Sequence, residues 1–440
     1  MKQGCSLSPI LFSIYINDLV EQLHQGELGV DLGNEVLSVL AFADDILCLS
    51  RTSREGTETQ MKTIVDWCTL WKMKMSEPKT YIATLSSENN WVCEGENDYL
   101  SFEESLGFSY LGMDYRLKGR DFLGDHYEKM KKKADKYVYA ILNLTRDLLD
   151  RSVVARSLWE YCAVPAIMYG LEACIVSKGV LRVLEEKQKA IAAFVTGLPR
   201  NGGNVALTLE SGLLPMQARY DVGVHRFFNR LLESNSDLIC EALQEHRSAR
   251  WGSPYRSLLR RVIRKYGLAN LNSEASKSRI TGLVWRETVK EMYDKKSLKF
   301  YSVRNKEWEL PSHVNDSEHS TVLCKVRTGN GGLGNRCPLE GMSVSLKECP
   351  FCKDRGVIRN LSEEHVLLFC PGLGDIQQKY GFKTYMGKMM GQDRVLWRFL
   401  GGDRCSWVEL LQRGRMLQSF LMEYRIRVYQ TRSVSLLLSR

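Results

Sequence analysis

The sequence predicts an α+β domain at the N-terminus, a long helical region after it, and a small metal-binding knuckle near the C-terminus. Three observations carry this. Residues 1–115 alternate between helical spacing of apolar residues and short β-rich runs. Residues from about 120 to 235 keep helical spacing almost throughout. Residues 349–370 hold three cysteines and a histidine at ligand-like intervals.

A chain of 440 residues has room for two to four domains, at roughly 150 residues each. Hydrophobic content of 44% with 26% charged residues places it among globular proteins rather than disordered or fibrous ones. Its apolar runs fall short of the roughly 18 to 20 residues a membrane span needs. Polar residues and Asp18 run through the opening segment, unlike a secretory leader. Thirteen cysteines, an odd number scattered along the chain, suit a reducing compartment better than a disulfide scaffold. The expectation is a soluble intracellular protein of nucleus or cytoplasm, with no membrane partner.

Charge is unevenly placed. Residues 1–115 carry seven Lys and Arg against eighteen Asp and Glu, while residues 376–440 carry twelve against four. The whole chain is +9, so cation binding is expected early and polyanion binding later.

The elements follow in order. "SPILFSIYINDLVEQL" predicts a helix capped by Ser8, with Pro9 in its first turn. "EVLSVLAFADDILCLS" predicts two β-rich halves about a tight Ala43-Asp44-Asp45 turn. Met61, Ile64, Val65, Cys68 and Trp71 keep helical spacing within Thr57 to Lys72. "MKMSEPKTYIATL" is expected to break at Pro78 and resume as a strand, and "FSYLGMDYRL" to form one short strand. "DHYEKMKKKADKYVYAILNL" and "GVLRVLEEKQKAIAAFVTGL" predict long helices. "VRTGNGGLGNRCPL" predicts a loop, and "SWVELLQRGRMLQSFLMEYRIRVYQ" a basic helical tail.

Two adjacent carboxylates, Asp44 and Asp45, interrupt an apolar run. Buried there, each would need a compensating charge. Magnesium, a hard ion that prefers carboxylate oxygens, would supply it. A hydrated acidic turn is the better explanation of the dipeptide taken alone. "CPFCKDRGVIRNLSEEHVLLFC" spaces Cys349, Cys352, His365 and Cys370 as C-x2-C-x12-H-x4-C, which suits a closed tetrahedral zinc site, with Cys337 an outside candidate. Thiols packing as small hydrophobes is the alternative. Lys353, Arg355 and Arg359 flank the cluster. In residues 245–266, Arg247, Arg250, Arg256, Arg260, Arg261, Arg264 and Lys265 interleave with Trp251, Tyr255 and Tyr266, a mixture suited to phosphates and bases or simply to a solvated face. Lys129, Lys131, Lys132 and Lys133 admit the same two readings, or a weak nuclear import signal.

The motifs together resemble the palm of a reverse transcriptase from non-LTR, LINE-type retrotransposons. "KQGCSLSPILFSIYINDL" is similar to the family's Gln-Gly…Ser-Pro…Leu-Phe segment, "FADD" to its aspartate hairpin, "MSEPKT" to the next motif, and "FSYLG" to the turn that grips the primer. Similarity continues through "PAIMYG", "LEEKQKAIAAFVTGLP" and "ALTLESGLLPM". The resemblance implies a partial right-hand palm over 1–115 and a helical thumb or connection over 116–235. After these would come a basic helical and loop region over 236–345, a CCHC zinc knuckle over 346–375, and a basic helical tail over 376–440. It implies that Asp44 and Asp45 hold magnesium, that Lys79 approaches the pyrophosphate, that Gln3 and Gly4 line the nucleotide site, and that Ser8 and Pro9 open the supporting helix. The implied activity is RNA-directed DNA polymerisation by two-metal nucleotidyl transfer. Its partners would be an RNA template, a DNA primer and deoxynucleotides, and its cofactors Mg2+ and Zn2+.

Only Met1 and Lys2 precede Gln3. The resemblance therefore implies a truncated member, short of the fingers, of a further metal-binding aspartate and of any N-terminal endonuclease. Asp18, on the supporting helix, and Asp31, in an edge turn, are poorly placed to substitute. Such a chain is expected not to polymerise alone. A non-catalytic nucleic-acid-binding remnant, using only the basic helices and the knuckle, is the alternative.

Overall fold

A computed structural model of the chain describes residues 7–33, 35–51, 54–76, 79–84, 91–94, 99–117, 121–200, 204–248, 253–295, 298, 308–311, 314, 318–328, 348–353, 356, 359, 361–362, 364–383, 396, 399–400 and 407–438. Gln3, Gly4, Arg250, Trp251, Cys337, Arg355 and most of the glycine-rich loop lie outside the described residues, as does the side chain of Arg247. The chain forms two compact units. One comprises Met1–Lys132, Ala173–Ile175 and Val224–Ile263; the other comprises Lys133–Glu172, Val176–Gly223 and Arg264–Arg440.

The first unit opens with α1 (Ser8–Gln25). Leu7, not Ser8, takes the cap position; its φ of −84° and ψ of −22° are already helical, so Ser8 and Pro9 fall in the first turn and no side chain caps the end. Two antiparallel hairpins follow: β1 (Val30–Leu32) with β2 (Glu35–Leu37), then β3 (Val39–Phe42) with β4 (Asp45–Cys48). α2 (Arg54–Leu70) comes next. Ile16, Leu19 and Leu23 of α1, Val39 of β3 and Trp67 of α2 form one core, with Ile46 and Cys48 of β4 against it. A two-stranded sheet is marginal alone, and here two helices cover one of its faces. The Trp67 indole donates to Asp18 Oδ1 at 2.9 Å, fixing α2 on α1.

α2 ends earlier than Pro78. Lys72 adopts φ of 54°, and Met73 N donates to Cys68 O at 2.8 Å, a Schellman closure with lysine where glycine is usual. β5 (Tyr81–Ala83) pairs in parallel with β7 (Tyr99–Ser105), and β7 antiparallel with β6 (Trp91–Glu94). "FSYLGMDYRL" is two strands rather than one: β8 (Gly107–Tyr110) and β9 (Met113–Arg116) are antiparallel. Leu111 and Gly112, at φ of 48° and 79°, turn the chain between them. Positive φ at both central residues matches the strand twist of a tight hairpin.

α3 (Gly124–Thr145) is the first of the long helices predicted after residue 120. α4 (Arg151–Leu158) runs into a π turn (Trp159–Ala163) and α5 (Val164–Met168). Pro165 removes a backbone donor there, the usual cause of such a bulge. α6 (Lys178–Thr196) starts at a Ser177 cap and stops at Gly197, φ 66°. α7 (Asn204–Ser211), α8 (Met216–Leu232), α9 (Asp237–Ser248), α10 (Pro254–Tyr266) and α11 (Ser273–Asp294) complete a predominantly helical middle. Trp159 is fully buried, its Nε1 donating to Gln188 Oε1 at 3.0 Å.

Near the C-terminus, α12 (Glu318–Arg327), α13 (Pro350–Lys353), α14 (Gly374–Lys379) and the long α15 (Trp407–Leu438) share one core. The basic tail is therefore docked. Its Leu410, Leu417, Phe420, Leu421 and Tyr424 are buried alongside Leu323, Phe382 and the three knuckle cysteines. Apolar residues at helical spacing among its arginines supply the reason. No helix among the described residues is long and apolar enough to cross a membrane.

Candidate functional site

Asp44 and Asp45 stand at the tip of the β3–β4 hairpin, where Phe42 pairs with Asp45. Ala43 turns the chain with φ of 51°, a conformation that costs an L-residue on the order of 1 kcal/mol. Strand alternation sends Ile46 and Cys48 toward the helices and Asp45 to the other side. Both carboxylates are exposed, as are Phe42 and Ala43. The expectation that metal charge must offset burial is thus corrected: water already solvates these groups, because the apolar run ends at the hairpin tip.

The β8–β9 hairpin carries one side chain that feels the charge of this tip. Tyr110, beside the Leu111-Gly112 turn, has its phenol pushed up by partial burial and then by the nearby Asp45 charge. Ser109 N donates to Tyr81 Oη at 2.7 Å, tying β8 to the strand that follows Lys79. Lys129 of α3 reaches back to Asp114 at 2.8 Å, and Ser109 also hydrogen-bonds Asp114. These partners draw the Asp114 carboxyl down, outweighing the upward push of partial burial. Phe108 stacks on Tyr115 at 4.7 Å. Tyr81, Ser105 to Ser109, Asp114 to Arg116 and Asp125 line an open groove of about 520 Å³.

Lys79 is exposed, and no ion pair among the described residues joins it to Asp44 or Asp45. Ser8 and Pro9 are the first two residues of α1. Asp18 is engaged by Trp67, and Asp31 lies in strand β1, not in a turn, and pairs with Arg51. No third acid among the described residues comes within metal-holding distance of the tip. Sequence reasoning read "FSYLG" as a turn by resemblance but did not place Tyr110 beside Asp45, a proximity that no local pattern signals.

The four knuckle residues converge. Their ligand atoms all lie within 4.8 Å of one another and are buried, although His365 as a whole is half-buried. Cys349 and Cys370 sulfurs are 3.6 Å apart, Cys352 and Cys370 sulfurs 3.7 Å, and Cys352 Sγ is 3.3 Å from His365 Nε2. Sulfurs bound at about 2.3 Å around one tetrahedral zinc stand about 3.8 Å apart, so the donor set fits. A hydrogen bond with Cys370 draws the Cys349 thiol down to about 5; the same bond and burial push Cys370 up, and burial followed by the Cys349 charge pushes Cys352 up. Cys349 N donates to Arg359 O at 2.8 Å, and His365 N to Ser362 Oγ at 3.1 Å, holding the ligand loops. Gly372 makes the close passage possible, since a Cβ there would stand 2.6 Å from Phe351.

The basic segments are rearranged by the fold. Lys129 and Lys131 pair with Asp114 and Glu128. Tyr266 is buried against Asp221, its hydroxyl donating at 2.7 Å, and half-buried Tyr255 packs on Phe227 at 6.3 Å. The tyrosines expected to stack on bases therefore face inward.

Residues 1–115 match the family described as reverse transcriptase (RNA-dependent DNA polymerase). Their small paired strands with flanking helices form its palm-like domain. The chain is also similar to the Retrovirus-related Pol polyprotein from type-2 retrotransposable element R2DM of Drosophila melanogaster, 24% identical over 221 residues, covering 46% of this chain and 20% of that protein. It is 28% identical over 191 residues to the Pol polyprotein from type-1 retrotransposable element R2 of Popillia japonica, covering 41% and 25%. The matches thus take in a fifth to a quarter of these relatives' length, and the kinship agrees with the LINE-type resemblance carried by the motifs.

Proposed function

We propose that the chain is a fragment of the RNA-directed DNA polymerase of a LINE-like retrotransposon, of little activity alone, with Asp44 and Asp45 among its metal-binding acids. The observation that carries this is the placement of both carboxylates on an exposed, strained turn whose strands are packed from one side, with the Tyr110 hairpin alongside. Magnesium bound by one or two carboxylates together with substrate phosphates would stabilise charge on the attacking and leaving oxygens of the displacement. The protein's own part is positioning. Asp44 and Asp45 bring oxygen donors to an open edge where a nucleotide's phosphates can complete the shell. Lys79, exposed just ahead of β5, supplies a cation for the departing pyrophosphate. Gln3 and Gly4 would line the nucleotide site and α1, opened by Ser8 and Pro9, would support it. The β8–β9 turn would hold the primer strand near the acids.

In this reading 1–115 is a partial palm, 116–235 a thumb or connection and 236–345 a basic helical and loop region. Residues 346–375 form a CCHC knuckle and 376–440 a basic helical end. Cys349, Cys352, His365 and Cys370 would hold zinc as a closed structural site.

The test is extension of a DNA primer on an RNA template with magnesium and deoxynucleotides. Asp44→Asn and Asp45→Asn are each expected to lower incorporation at least a hundredfold while leaving the folded state intact. Incorporation that survives both changes overturns the assignment of these acids. A parent chain that binds nucleic acid tightly yet incorporates nothing favours the second reading, a non-catalytic nucleic-acid-binding remnant. That reading draws support from the absence of a third acid at the tip among the described residues.

A further inference from the structure

We propose that the outer face of α10 is a sequence-independent clamp on the sugar–phosphate backbone of a nucleic-acid duplex. The proposal deepens the nucleic-acid reading above by naming a surface and the form of nucleic acid it takes.

The helix divides cleanly. Leu258, Leu259, Val262 and Tyr266 are buried, while Ser257, Arg260, Arg261 and Arg264 are exposed. Arg260 and Arg264 are four residues apart on one ridge, a rise of about 6 Å, comparable with the step between successive phosphates along a strand. Arg261 flanks them on the next ridge. Because these positions belong to one helix, their spacing is fixed by the helix alone.

Charge accounting singles out the three arginines. No ion pair engages Arg260, Arg261 or Arg264 among the described residues, whereas Lys265 of the same helix is held by Asp221 at 3.3 Å. No group among the described residues neutralises this charge, and phosphates are its natural complement.

Two features choose the occupant. A basic amphipathic helix can also lie on an anionic membrane, but that requires a free apolar face. The apolar face of α10 is committed to the protein interior, so lipid insertion is closed to it. A single-strand site would offer aromatic platforms for bases. Tyr255 packs on Phe227 and Tyr266 is buried, so the described outer face offers cations and a hydroxyl only. That composition fits contacts to backbone, as in duplex binding without base readout.

The test uses the full chain and a fluorescent RNA·DNA hybrid of about 20 base pairs, titrated by anisotropy at several salt concentrations. Arg260→Gln, Arg261→Gln and Arg264→Gln are combined, since glutamine preserves the helix, and a circular dichroism melt verifies folding. The triple variant is expected to bind at least tenfold more weakly, and its slope of log K against log salt to flatten by about 2 to 3, close to 0.9 per lost phosphate contact. The single-stranded oligonucleotide should lose less than the hybrid. An unchanged slope, a larger loss for the single strand, or binding to phosphatidylserine vesicles that exceeds binding to the hybrid each overturns the proposal. The polymerase reading is tested apart from this, by primer extension with Asp44→Asn, and the arginine triple variant is judged on hybrid affinity and its salt slope alone, so the two can fail separately.

Discussion

The acidic hairpin tip and the cysteine–histidine knuckle are both groups of metal-ligand side chains, yet they are built in opposite ways. At the knuckle, four buried ligand atoms already stand at mutual distances a tetrahedral ion would impose, inside a core shared with α12, α14 and α15. At the tip, two hydrated carboxylates share an open turn. The difference teaches what each can do. A closed, soft-donor site spends its binding free energy on folding, whereas an open, hard-donor site leaves coordination positions for a substrate.

The widest gap between the two regions should appear on metal removal. A zinc chelator, or Cys352→Ser, is expected to abolish cooperative unfolding of the core around α15, since zinc binding in such sites reaches on the order of 10 kcal/mol. Calorimetry with and without chelator checks it. Asp44→Asn should leave the melt in place, within about 0.5 kcal/mol. The sign with pH follows from the ligands: thiols must lose protons to bind, so acidification should release the metal and erase the chelator's effect. A chelator-insensitive melt at pH 7 would break the comparison.

Aromatic truncation sharpens it next. Phe420, fully buried beside Phe382 and Tyr424, is expected to cost about 3 to 5 kcal/mol as Phe420→Ala. Phe42, exposed at the hairpin, should cost within about 0.5 kcal/mol as Phe42→Ala. Urea denaturation of both variants decides this, and similar losses would mean that the two regions are packed alike.

A smaller effect is expected at the turns. Gly112→Ala places a Cβ on a φ of 79° and should destabilise the β8–β9 hairpin by about 1 to 2 kcal/mol. Ala43→Gly, relieving a φ of 51°, should be neutral or stabilising. Thermal midpoints of the pair provide the check. At the same place, Asp45→Asn should move the Tyr110 phenol pKa down, because a neighbouring negative charge opposes phenolate formation. Ultraviolet titration against a Tyr110→Phe reference measures the shift; no movement would separate the two hairpins.

The smallest effect concerns Asp375, whose carboxyl the Arg427 guanidinium holds down to about 2 through a 2.8 Å hydrogen bond. A depressed carboxyl contributes stability above its ordinary range near 4, and loses that contribution as pH falls through about 2. Since Asp375 is largely exposed, Asp375→Asn should cost under about 1 kcal/mol at pH 7, and nothing at pH 1.5.

Helices α1, α2, α3 and α6 were legible because apolar spacing repeats over many residues, and the β3–β4 turn because "FADD" sits between two apolar runs. The end of α2 was misplaced because its Schellman closure uses Lys72, a residue with no local signature. In the second hairpin Leu111 carries no turn signature, so residue pattern alone suggests one strand and only Gly112 and the family resemblance point to a turn. For the candidate site, residue types were readable from spacing, but the exposure of Asp44 and Asp45 was not, since burial depends on what covers a strand.

The sequence by itself determined the chemistry on offer: a paired acid between apolar strands, three thiols and an imidazole at ligand spacing, and arginines on a helix with a committed apolar face. Covalent order fixes these, because helical and strand periods follow from backbone geometry. Tertiary structure alone decided that the acids stay hydrated beside Tyr110, that the four ligands between Cys349 and Cys370 meet, that Tyr255 and Tyr266 turn inward, and that the C-terminal helix is docked. Those outcomes depend on contacts between residues far apart in the chain, and no local pattern encodes which distant surface will exclude water from a given side chain.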